Sequence, residues 1–182
     1  MSHAVLADML DVLVVDDDRE TRDLLADFCR TLGFGVATAQ DGRAAISAVQ
    51  RDPNQFGVVL TDLNMPGADG FEVLRAVRAV NPSCYVVMIT GYATLDSAVR
   101  AVKEGAYDFL AKPFAFGQLE IVLSRVRDRM ALERENRDLT HQVMKSRPGT
   151  MGRLDYGWRL DAIEQRLADI EVLLRAVIDS RQ

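Results

Sequence analysis

Apolar residues fall along this chain in two rhythms. Five short runs, at residues 12–15, 35–39, 57–61, 85–90 and 107–111, are continuous or nearly so, as strands buried on both faces require. Between them, apolar positions recur every three or four residues, the period of a helix with one buried stripe. Leu24/Leu25, Phe28 and Leu32 form the first stripe, closed by Gly33. Ala45, Ile46 and Val49 follow Asp41, a side chain suited to capping a helix N-terminus. Phe71, Leu74 and Val77 form the third, ended at Asn81-Pro82. Ala98, Val102 and Gly105 form the fourth, entered at Thr94 or Asp96. Five strands alternating with helices predict an α/β fold, a doubly wound parallel sheet covered on both faces.

From Ala115 or Phe116 a longer helical stretch begins, with no breaker before Arg147-Pro148-Gly149. Leu119, Leu123 and Val126 are its sheet-facing positions. Beyond them Leu132, Asn136, Leu139 and Val143 recur at heptad spacing, with Asn at an a position, a device that sets register in coiled coils. Residues 147–157 hold Pro148, Gly149, Gly152 and Gly157 and read as a hinge. After it, Leu160, Ile163, Leu167, Ile170, Leu174 and Val177 repeat three and four apart without a miss. Leu at a with Ile or Val at d favours four strands over two, and Leu173 and Ile178 widen the apolar face. A helix this short is marginal alone in water, so the tail is expected to self-associate as a dimer or tetramer.

Composition narrows the classes. A chain of 182 residues, 48% hydrophobic, suits one ordinary domain plus an appendage. No apolar run approaches the roughly 20 residues needed to span a bilayer, and the acidic start is no signal peptide. Cys29 and Cys84 are expected to be core thiols in a reducing cytoplasm. Residues 1–120 carry 10 basic against 17 acidic side chains, and residues 121–182 carry 12 against 10. That acidity argues against a nucleic-acid surface on the first part, and the balanced tail is no DNA-binding arm. A phosphate-binding G-x-x-x-x-G-K-[ST] loop is absent from the sequence, and no helix-turn-helix fits the residues after the hinge.

The chemistry lies where the runs end. The first stops in Asp16-Asp17-Asp18 and the third in Asp62-Leu63-Asn64-Met65-Pro66-Gly67; Thr90 and Lys112 close the fourth and fifth. In open parallel sheets, ligands bind beyond the carboxyl ends of the strands. Crowded carboxylates repel and hold protons more tightly unless a cation joins them. Oxygen ligands select a hard ion such as Mg2+, and such a cleft suits a phosphoryl group. Asp18 is expected to cap the first helix. His3 and His141 lie outside this set and are read as solvated.

These residues resemble the receiver domain of bacterial two-component response regulators, over about residues 10–128. The motifs are Val14-Val15-Asp16-Asp17-Asp18, then Leu60-Thr61-Asp62-Leu63-Asn64-Met65-Pro66 with Asp69-Gly70, then Met88-Ile89-Thr90-Gly91 and Phe109-Leu110-Ala111-Lys112-Pro113-Phe114. Thr90-Gly91-Tyr92-Ala93-Thr94 and Glu133-Arg134-Glu135-Asn136 look most like nitrogen-regulation-type activators. The resemblance implies a flavodoxin-like sheet of order 2-1-3-4-5. It implies that Asp62 is the phosphoacceptor, attacking a phosphohistidine on a sensor histidine kinase. Asp17, Asp62 and the carbonyl of Asn64 would bind Mg2+ directly, with Asp16 acting through water. Lys112 would pair with Asp62 and then with the phosphoryl group. Thr90 would bond a phosphoryl oxygen, and Phe109 would turn from exposed to buried, altering the face formed by the fourth helix, fifth strand and fifth helix. Tyr92 and Asn64 would flank the path of the hydrolytic water.

The expected organisation is a receiver domain at 1–128, a helical extension at 129–146, the hinge at 147–157 and an oligomerisation helix at 158–180. With no effector enzyme in sight, output falls to self-association or an unknown partner. Two other readings stand beside it: a receiver that only shuttles phosphate, and a phosphatase using Asp16-x-Asp18.

Overall fold

The computed structural model describes residues 11–146, with side chains to residue 136. Five strands and five helices alternate: β1 (Asp11–Val15), α1 (Arg19–Thr31), β2 (Gly35–Ala39), α2 (Gly42–Arg51), β3 (Phe56–Asp62), α3 (Gly70–Val80), β4 (Tyr85–Thr90), α4 (Leu95–Lys103), β5 (Asp108–Ala111) and α5 (Phe116–Ser146). All strand pairings are parallel, in the expected order β2-β1-β3-β4-β5. The chain divides into two units, Met1–Glu135 and Asn136–Gln182.

Alternation along each strand feeds two separate cores. Val12 and Val14, Val58 and Leu60, and Val87 and Ile89 face Leu25, Ala26 and Cys29 of α1 and Leu119, Val122, Leu123 and Val126 of α5. Leu13, Val15, Val59, Val86 and Met88 face Ala45 and Val49 of α2, Phe71, Leu74 and Val77 of α3, and Ala101 of α4. Burying one such Val or Leu side chain is worth about 1.5–3 kcal/mol, so the central strands anchor the molecule.

Most helix starts obey the expected chemistry. Asp18 caps α1, accepting from the Thr21 N–H at 2.8 Å, and Asp41 caps α2. Asp69 and Glu72 close a capping box on α3, as Thr94 and Ser97 do on α4. Two apolar stripes differ from expectation. Leu24 is 56% exposed; the α1 face is built from Leu25 and the small residues Ala26 and Cys29, while Phe28 and Leu32 pack only partly against it. On α4 the one buried residue is Ala101, with Ala98, Val102 and Gly105 only half-buried.

Charge holds α4 where oil does not. Glu104 at its C-terminal end pairs with Arg100 at 2.7 Å and with Arg75 of α3 at 3.1 Å. The Arg100 guanidinium lies 3.8 Å from the centre of the Phe71 ring. Past Val126, where Met130 packs only partly against the core, polar contacts add to the hold on α5. Arg127 donates to the Leu32 carbonyl at 2.7 Å, and the Tyr85 hydroxyl donates to Glu133 at 2.8 Å. Leu132 is 60% exposed and Asn136 is exposed; the side chains of Leu139 and Val143, the hinge, and the seam of Leu160, Ile163, Leu167, Ile170, Leu174 and Val177 lie outside the described residues.

Candidate functional site

Strand register builds the site. Val15 pairs with Thr61, so the next residues, Asp16 and Asp62, emerge side by side where the chain order reverses between β1 and β3. Thr90 pairs with Ala111, so Lys112 leaves β5 beside Thr90, and the Lys112 N–H bonds the Thr90 carbonyl at 2.7 Å. Two glycines let the β3–α3 connection fold back. Gly67 has φ +87°, a region that L side chains avoid. A Cβ on Gly70 would strike the Asp62 carbonyl oxygen, so α3 begins directly against Asp62.

Asp16 and Asp62 are 2% and 8% exposed. Lys112 Nζ donates to Asp16 Oδ2 at 2.7 Å and stands 3.4 Å from Asp62 Oδ1. The second contact is an ion pair without hydrogen-bond alignment, and Asp62 Oδ1 is buried with no hydrogen-bond partner. Burial raises the Asp62 pKa above the ordinary carboxylate value; Lys112 opposes the rise and the Asp16 charge adds to it. Burial also works against the Lys112 charge, but the hydrogen bond to Asp16 and the charges of Asp62 and Asp16 outweigh it, and its pKa is raised. Lys112 therefore stays a cation while Asp62 is a carboxylate held against its preference.

Asp16 is fully engaged. Its Oδ1 accepts from the Asp18 N–H at 2.9 Å, its Oδ2 from Lys112, and its carbonyl from Arg22 Nη1 at 2.7 Å. Asp17 is exposed. Thr90 is fully buried, and its Oγ1 accepts from the Tyr92 N–H at 3.1 Å and from Asn64 Nδ2 at 3.4 Å. Tyr92 itself is 78% exposed. Phe109 is half-buried rather than exposed: it pairs with the fully buried Met88 and packs against the core beneath α3 and α4.

Asp16, Asp62, Thr90, Asn64 and Lys112 thus converge at one rim. Arg22 lies outside the sequence-derived set. Its signal was faint, a basic residue in the second turn of the helix that follows the acidic run. Among the described residues no three acidic, His or Cys side chains close into a metal cage. Mg2+ needs none, since one or two carboxylates hold it while water and phosphate oxygens fill its other positions. Asp62, whose Oδ1 has no hydrogen-bond partner, and exposed Asp17 are the carboxylates that could hold it; Asp16, with both oxygens taken, would act through water.

Comparison with known proteins agrees. The chain is 31% identical over 163 residues, 88% of its length, to the C4-dicarboxylate transport transcriptional regulatory protein DctD of Rhizobium meliloti, of which it covers 35%. It spans about a quarter to a third of the length of the first curated relatives it matches. The crystal structure of NtrX from Brucella abortus superposes with a TM-score of 0.64 and 36% identity, covering 71% of this chain and 30% of that one. CheY of Borrelia burgdorferi, solved in complex with CheX, BeF3 and Mg2+, gives 0.61 and 25%, covering 64% and 88%. Residues 12–124 match the response regulator receiver domain. With its sheet order, its paired acids at the strand reversal and this match in accord, the chain belongs to the response regulator receiver domain family.

Proposed function

We propose that Asp62 accepts a phosphoryl group from a phosphohistidine of a sensor histidine kinase and that this switches the molecule's output. The supporting observation is the Asp62 Oδ1 atom, buried, unbonded and 3.4 Å from the Lys112 ammonium. Phosphoryl transfer asks for in-line positioning and neutralised charge more than for covalent chemistry. An Asp62 oxygen bonds to phosphorus, the phosphorus–nitrogen bond breaks, and the imidazole nitrogen keeps its electron pair. Asp17, Asp62 and the Asn64 carbonyl would hold Mg2+, which would supply positive charge to lower the proton affinity of Asp62 and offset the incoming dianion. Lys112 supplies the second positive charge. The Thr90 hydroxyl, which accepts from Asn64 and Tyr92, would donate its own hydrogen to a phosphoryl oxygen and draw its loop inward. Phe109, already half-buried, has only part of the way to go.

Output is assigned to the C-terminal segment, through self-association by its heptad seam or through a partner. The acidic receiver, the balanced tail and the lack of room for a helix-turn-helix after the hinge suggest no direct contact with nucleic acid. That expectation is withdrawn. Relatives are transcriptional regulators, this chain matches about a third or less of their length, and charge on residues 1–120 speaks only for those residues. A cytoplasmic location, with Cys29 and Cys84 as free thiols, belongs to the same reading. Among the described residues no helix is long and apolar enough to cross a membrane. The phosphatase reading finds no support in the site: Asp16 is bonded at both side-chain oxygens and Asp18 is spent on capping α1.

The test is intact-mass measurement with acetyl phosphate. One phosphoryl group should add to the wild-type chain with Mg2+, and none to Asp62→Asn or without the metal. An unchanged wild-type mass would overturn the reading. Onward transfer to a histidine phosphotransfer protein, without a change in assembly, would convert it into a phosphate shuttle.

A further inference from the structure

Arg22 sits in the second turn of α1, half-buried, and meets the acidic turn at two points. Its backbone N–H bonds the Asp18 carbonyl at 3.0 Å, and its guanidinium bonds the Asp16 carbonyl at 2.7 Å. The other polar atoms of Asp16 are also held. Its N–H reaches the Ala39 carbonyl at 3.3 Å, Oδ1 accepts from Asp18, and Oδ2 accepts from Lys112. Asp17 is different: exposed, with neither hydrogen bond nor ion pair from the described residues.

The consequence is geometric. The peptide joining Asp16 to Asp17 is planar and rigid. Its carbonyl oxygen is the atom that Arg22 grips, so the same grip sets the position of the Asp17 nitrogen and Cα. A charge-assisted hydrogen bond is roughly twice as strong as a neutral one. The guanidinium thus acts on the backbone of the acidic turn, while Lys112 meets the Asp16 carboxylate.

We propose that Arg22 is a positioning residue for phosphoacceptance: by holding the Asp16–Asp17 peptide it fixes the point from which the Asp17 carboxylate reaches the divalent cation. The inference rests on the phosphoacceptor reading above. Arg22 acts on how tightly Mg2+ is held, and not on transfer once the metal is in place.

The experiment uses the full chain and two readouts. Mg2+ affinity is measured by calorimetry without phosphodonor, with Mn2+ and electron paramagnetic resonance as a second probe. Phosphorylation by acetyl phosphate is followed across a magnesium titration. Arg22→Met, which keeps a long helix-compatible side chain but no donor, should weaken Mg2+ binding about tenfold, which is about 1.4 kcal/mol. Its phosphorylation rate at saturating Mg2+ should stay within about twofold of wild type, the signature of a lost uniform binding term. Arg22→Lys, with one charged donor, should recover part of the affinity. An unchanged Mg2+ affinity in Arg22→Met overturns the proposal, as does a lower rate that saturating metal fails to restore. If Arg22→Met does not fold, Arg22→Ala is judged by the same criteria. Failure of both to fold makes the residue structural and overturns the proposal too. A wild-type chain that binds no Mg2+ or takes no phosphate would instead sink the phosphoacceptor reading itself.

Discussion

Asp62 carries a cost that its own chemistry explains. The folded chain holds its proton more tightly than the unfolded chain does, because burial disfavours the anion. Between the unfolded pKa of about 3.9 and the raised native value, the native state binds more protons. Stability therefore falls as pH rises through that window, and the penalty is fully present above it. Asp62→Asn, which keeps an acceptor oxygen but carries no charge, should remove it and make the metal-free protein more stable at pH 7. The gain should vanish below the unfolded pKa, and thermal unfolding at several pH values without magnesium reads both. A variant no more stable than wild type at pH 7 contradicts the burial argument. A second residue-scale prediction concerns the phosphorylated state. Tyr92 and Asn64 both bond the Thr90 hydroxyl, and bulk at Tyr92 should obstruct the hydrolytic water. Tyr92→Ala should lose its phosphoryl group faster, and decay no faster than wild type would refute this. The convergence of Asp16, Asp62, Thr90 and Lys112 was legible because each ends or follows an apolar run. Arg22 was not, since a side chain gripping a backbone carbonyl leaves no pattern of residue types behind.

At the scale of elements, every strand was legible: β1, β3 and β4 are buried on both faces and need little beyond their own apolarity, while the edge strands β2 and β5, only partly buried, still stand as short apolar runs. Helix faces were harder to read. Leu24 looked like core beside Leu25, yet α1 turns Ala26 and Cys29 inward, small residues that let it lie close to the sheet. α4 was read with an apolar stripe but is stapled by Arg75, Arg100 and Glu104 across 29 residues of sequence. Exposed ion pairs contribute at most about 1 kcal/mol each. Glu104→Ala should therefore leave the global midpoint nearly unchanged while hydrogen exchange in α4 quickens relative to β4, since weakly anchored segments open alone. Equal change in both elements would mean that α4 unfolds only with the rest. The bond between Tyr85 and Glu133 spans 48 residues and was equally invisible in the sequence. Tyr85→Phe should cost about 1 kcal/mol and expose the amides of α5 near Glu133 to exchange.

For the whole molecule, the decisive question is whether the receiver and the tail are separable. The tail's seam rests on spacing alone, and Leu132 and Asn136, the described members of the heptad before it in sequence, are exposed. Replacing Leu167 and Ile170 together with Asp should abolish assembly by light scattering while phosphorylation of Asp62 proceeds at a near wild-type rate, the outcome expected of independent sites, whose effects add. Loss of phosphorylation in that variant would show that the tail supports the receiver. The receiver, for its part, carries two natural reporters. Cys29 lies in the layer between the sheet and α1–α5, Cys84 in the layer beneath α2–α4, and burial pushes both thiols up to about 12. A thiol reagent cannot touch either until its own layer parts from the sheet. Timed labelling followed by peptide mapping would therefore say which side of the molecule breathes first, and whether phosphate or magnesium quiets one flank and leaves the other unchanged.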